Sequence, residues 1–163
     1  MESISERTRR PAARPEPPLA VRGAAALWLA AIGAGVAESV LGVLGALVDG
    51  ASVGGVLVQI AFRAMVYGGL FVVVDRYFRP GVRWARWLLT GLLGTVGIAS
   101  LIIGPVTWLV NDGDFGALDW SVGFVTFAVI RCLHVFAVLS AIALSFTAES
   151  NRWFSTRPVR RTR

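Results

Sequence analysis

Four stretches of this chain, residues 24–48, 53–74, 84–110 and 120–146, are apolar almost throughout, and that pattern constrains the fold more than any other feature. Each is long enough to cross a hydrocarbon core of roughly 30 Å at about 1.5 Å per residue. The connections, residues 49–52, 75–83 and 111–119, leave no room for a soluble domain. Inside a bilayer every backbone N–H and C=O must be satisfied within its own segment, so these stretches predict helices. The expectation is an all-α integral membrane protein, a four-helix transmembrane bundle over residues 23–147. It is flanked by a disordered, proline-rich basic tail (1–22) and a second basic tail (148–163).

Composition agrees with that class. Hydrophobic residues make up 55% of the chain and charged residues only 16%, against about 25% in soluble domains. The net charge of +6 comes entirely from arginine, with no lysine. These arginines gather at the chain ends and in one loop rather than on a face of a soluble domain, which argues against nucleic acid and for anionic lipid headgroups as their partner. The single cysteine, Cys132, excludes an intrachain disulfide and a Cys-x-x-Cys redox pair.

Charge asymmetry sets an orientation. Arg7, Arg9, Arg10, Arg14 and Arg22 precede the first segment. Arg76, Arg79, Arg83 and Arg86 lie around the second connection, and Arg152, Arg157, Arg160, Arg161 and Arg163 follow the fourth segment. The first and third connections carry Asp49, Asp112, Asp114 and Asp119 instead. By the positive-inside rule both termini are expected in the cytoplasm. Trp28, Trp84, Trp87, Trp108, Trp120 and Trp153 fall near segment ends, where indoles are expected at the headgroup level.

Against this apolar background four ionisable side chains stand out near the bilayer centre: Glu38, Arg63, Arg131 and His134. An arginine at the centre of a lone helix costs about 2.5–3.5 kcal/mol on insertion scales, so such groups turn inward and find partners. Ala31, Gly35, Glu38, Gly42 and Gly45 form a seam of small residues with the carboxylate in its middle, a pattern that admits a close neighbour. Gln59, Arg63 and Tyr67 recur every four residues and make one polar stripe, with Gln59 and Tyr67 as secondary lining. Arg131 and His134 share a helix face, from which Cys132 is turned away. Thr90, Gly94, Gly97, Leu101 and Gly104 make a second small seam, and Pro105 predicts a kink or break.

Two functional readings follow. Glu38 is the sole acid inside the four segments and neutralises one arginine, which leaves a second positive charge. A homodimer doubles both signs and does not correct the imbalance. The leading reading is a non-enzymatic subunit or accessory factor whose intramembrane charges pair internally and with a protein partner, a homo-oligomer being the other assembly considered. The alternative is a small proton-linked carrier of an anionic or lipidic substrate, with Glu38 and His134 as proton carriers and Arg63 and Arg131 as anion ligands. Catalysis is disfavoured because no nucleophile and base stand at workable spacing, and no metal or other cofactor is expected. Asp112 and Asp114 in "NDGDFG" lack the rest of a calcium loop.

The stretches "GVRWARWLLTGLLGTVGIASLIIGPVTWLV" and "LWLAAIGAGVAESVLGVL" resemble the uncharacterised small four-helix membrane proteins of actinobacteria. The resemblance covers residues 22–152 and implies a bacterial inner (cell) membrane; it brings no activity and no site residues. Small multidrug-resistance exporters are similar only in having a glutamate in the first of four helices.

Overall fold

The computed structural model describes residues 16–111, 113–117 and 120–155. Residues 1–15 of the first tail, 156–163 of the second, and Asp112, Leu118 and Asp119 lie outside the described residues. The described chain is all-helical, with four helices long and apolar enough to span a membrane: α1 (Leu19–Val48), α2 (Val53–Phe78), α3 (Arg83–Asn111) and α4 (Val122–Ser145). A short helix, α5 (Ala148–Ser155), follows.

Local chemistry sets the ends. α1 begins at Leu19, within the segment read as tail, because Pro18 at its N-cap has a φ of −54° and needs no N–H partner. Gly50 closes it with a φ of +80°, donating to the Leu47 carbonyl while Ala51 donates to that of Ala46. Ser52 and Ser121 cap α2 and α4 through their hydroxyls, which accept from the Gly55 and Phe124 N–H groups. α2 ends in a π segment, Val73–Phe78, and α3 contains another at Leu92–Gly97. α3 runs through Pro105 without interruption, from Ile98 to Asn111.

The packed core occupies only one half of the bundle, the half in which α1 begins and α4 ends. Val21, Ala24, Ala25, Trp28, Ala31 and Ile32 of α1 meet Leu70, Val74 and Phe78 of α2, Ala85, Leu89 and Leu93 of α3, and Ala137, Val138 and Ala141 of α4. Trp28 is therefore a core residue and not a headgroup anchor. The alanines around it leave space for the indole, and its N–H donates to the Ser145 hydroxyl at 3.3 Å.

The other half is open. No residue is buried from Val36 to Gly50, from Leu57 to Gly69, from Ile102 to Asn111, or from Ser121 to Leu133. Lipid accounts for exposure on outward faces, but each stretch spans two or more helical turns and so includes an inward face as well. Val56 and Leu101 are buried in this half, but elsewhere its helix faces are covered only in part by the chain's own residues.

α5 closes the packed end. Phe154 is buried against Phe78, with ring centroids 5.1 Å apart. Trp153 packs on Gly81, whose φ of +86° is a conformation glycine tolerates, and where a Cβ would come within 2.8 Å of the indole. Arg86 is the clasp. Rather than lying in a solvated loop it is buried within α3, where it donates to the Ser145 carbonyl (3.3 Å) and to Asn151 Oδ1 (2.7 Å). It also stacks over the Phe146 and Phe154 rings at 4.6 and 5.0 Å. Substituting Arg86→Met is expected to cost about 3 kcal/mol, the sum of charge-assisted hydrogen bonds and cation–π contacts. Hydrogen exchange would then rise through Ala148–Ser155 first; unchanged protection there would contradict this role.

Candidate functional site

The ionisable cluster lies where the packed half gives way to the open one. Glu38 on α1 faces α4: Arg131 Nη2 donates to its Oε2 at 3.4 Å, and His134 Nδ1 lies 3.2 Å from its Oε1. The spacing of three between Arg131 and His134 puts both on one face of α4, so one carboxylate meets both. Glu38 and His134 side chains are each 10% exposed and Arg131 is 28% exposed. Water therefore does little to solvate Glu38, and these two neighbours are its polar partners.

Arg131 is held from two further sides. Its Nη1 donates to the Leu101 carbonyl on α3 at 3.4 Å, and its guanidinium lies 4.5 Å above the Phe127 ring. Its Nε is buried without a partner among the described residues. The cluster thus ties α1, α3 and α4 together at one level.

Tyr67 contributes the α2 side. Its hydroxyl donates to the Gly35 carbonyl at 2.9 Å and sits 3.0 Å from the Ser39 hydroxyl, which also donates to Gly35 at 2.7 Å. Gly35 permits this approach. A Cβ there would lie 3.1 and 3.2 Å from the Tyr67 ring and hydroxyl, and 3.3 Å from the His134 ring. Gly35→Val is expected to cost about 1–3 kcal/mol through overpacking. Thermal melting in detergent measures it, and an unchanged midpoint would show that the tyrosine and histidine yield freely.

Arg63 stands apart. Its Nη1 lies 3.9 Å from the position a Cβ would take on Gly42, one turn beyond Glu38, and it forms no hydrogen bond or ion pair among the described residues. Glu38 is already engaged by Arg131 and His134, so Arg63 is left as the surplus charge. Gln59, one turn further along the same stripe, is exposed. Cys132 is exposed on α4, away from the cluster.

The small-residue seams follow the same gradient. At Gly94 a Cβ would come within 2.6 Å of the Ile142 side chain of α4, whereas at Gly45 and Gly104 it would meet nothing within 4 Å. Both of these lie in the open half. On the terminal side a cleft of about 500 Å³ is lined by Glu16, Pro17, Val21, Arg22 and Arg79. Arg79 is committed there to Asp75 at 3.1 Å, and Arg22 is exposed.

Arg86, Ser39 and Ser145 carry contacts that the pattern of charges did not single out. Ser39 and Ser145 look like ordinary small residues of membrane helices, and Arg86 like one more basic residue at a helix end. Among the described residues no three histidine, cysteine or acidic side chains gather as a metal site would require. Comparison with family models, with curated proteins and with solved structures gives no match, and the functional reading therefore rests on this geometry.

Proposed function

We propose that this chain is a non-enzymatic integral membrane protein that acts as a subunit or accessory factor, completed in the membrane by a partner. One observation carries the reading: the half of the bundle that holds the unpaired Arg63 is covered only in part by its own helices. A surplus cation inside an apolar segment and a set of poorly covered inner faces, found together, are what a subunit separated from its partner has. The arginines on the terminal side favour a cytoplasmic position for both ends, with Arg22 and the rest of the rim meeting anionic headgroups.

A photoreactive amino acid at Gly45 tests this directly. Gly45 continues the α1 face of Glu38 and Gly42 and has room for a side chain. Irradiation in the native membrane should yield one discrete protein adduct, while the same residue at lipid-facing Leu139, 54% exposed, should not. Lipid adducts alone from Gly45 would refute the subunit reading.

One contact favours the carrier alternative, the hydrogen bond between His134 Nδ1 and Glu38 Oε1, two groups of proton-carrying chemistry 3.2 Å apart. A carrier requires Glu38→Gln to keep the fold and to lose pH-dependent flux in liposomes. Retained flux, or loss of the fold, would count against it.

A further inference from the structure

We propose that the partner supplies a transmembrane helix bearing a carboxylate inside the hydrocarbon, which docks against α1 and α2 in the open half and pairs with Arg63; this rests on the subunit reading above. Three observations select that occupant. The first is charge. Glu38 is held by Arg131 and His134, and Arg63 has no counter-ion among the described residues, so the missing group is an anion. A second copy of this chain brings another Glu38 with the same commitments and another Arg63, and leaves the surplus in place.

The second is depth. The Arg63 guanidinium lies at the level of Gly42, and Gly42 precedes the helix end at Val48 by about 9 Å at 1.5 Å per residue. A lipid phosphate keeps to the headgroup zone, and the anionic-lipid arm of the test below separates it from a partner's carboxylate. A carboxylate carried on a helix can be set at any depth. The third is shape. Gly42 and Gly45 leave the α1 surface low beside Arg63, the arrangement that lets helix backbones come together in membranes. Ile60, three residues before Arg63 on α2, is exposed beside it and supplies apolar surface, while the exposed Gln59 offers a hydrogen-bonding amide one turn from Arg63.

The test uses the full chain in neutral phosphatidylcholine vesicles, dye-labelled at its C-terminus, with a leucine- and alanine-rich transmembrane peptide carrying one glutamate about 9 Å inside its apolar segment. Energy transfer reports association. The glutamate peptide is expected to bind about tenfold more tightly than its glutamine twin, and Arg63→Gln is expected to abolish that preference. Because one variant could misfold, Gly42→Leu, which fills the seat and keeps the charge, should weaken binding of both peptides.

Equal binding of the two peptides overturns the proposal. So does a preference that survives in Arg63→Gln. A preference that disappears when anionic lipid is added also overturns it, because Arg63 then belongs to a headgroup. The two levels of the account separate in the Gly45 crosslink: one protein adduct of equal yield in wild type and Arg63→Gln keeps the subunit and rejects the carboxylate.

Discussion

Replacing Glu38 with glutamine is expected to destabilise the isolated protein by about 3 kcal/mol, the low end of what breaking a buried ion pair costs, because Arg131 keeps part of its exposure. The glutamine removes the charge that both Arg131 and His134 face at 3.4 and 3.2 Å, and leaves Arg131 in an apolar segment without its counter-ion. Arg131→Gln should cost less, since Glu38 keeps His134. In a double-mutant cycle the pair Glu38→Gln and Arg131→Gln should therefore couple by about 1 kcal/mol or more. Unfolding in mixed micelles reads all three values. A change for Glu38→Gln below about 0.5 kcal/mol would mean that the cluster does not hold α1 to α4.

Arg63 should behave in the opposite sense. Arg63→Leu removes an unpaired cation from an apolar segment, and the gain in insertion free energy is expected to approach the roughly 2.5–3.5 kcal/mol that such an arginine costs. Part of that cost is relieved already where the side chain reaches water or headgroups. The lone protein should therefore insert more efficiently and reach a higher membrane yield, while losing its partner. Insertion efficiency in a glycosylation-reporter assay and yield in purified membranes check the first half, and pull-down of the identified partner checks the second. A fall in both stability and yield would show instead that Arg63 has a structural role within the chain.

These opposite signs for two charges one helical turn apart come from the structure and not from the sequence alone. Periodicity is enough to place Arg131 and His134 on one face and Glu38 in a seam of small residues, because helical geometry fixes which side chains share a side. It does not say which arginine the carboxylate meets. That depends on how α1 is rotated against its neighbours, and the hydrogen bonds of Tyr67 to Gly35 fix Arg63 one turn away, beside Gly42.

The four apolar helices were legible because length and hydropathy are properties of a single segment. The open half was not, since Leu44 or Ile60 has the same side chain whether it faces lipid or another helix. Trp28 sits near a segment end like the interfacial tryptophans, and only the alanines opposite it reveal a core pocket. α5 lay within a segment read as basic tail; its stability comes from Phe154 and the Arg86 clasp, contacts made across the chain.

Native mass spectrometry of the protein, released with its own lipids from the membranes of its source, tests the central claim most directly. The account predicts a second polypeptide at fixed stoichiometry, lost or weakened in Arg63→Leu. The chain alone, or self-copies holding only a lipid or small anion, would contradict it and favour a carrier.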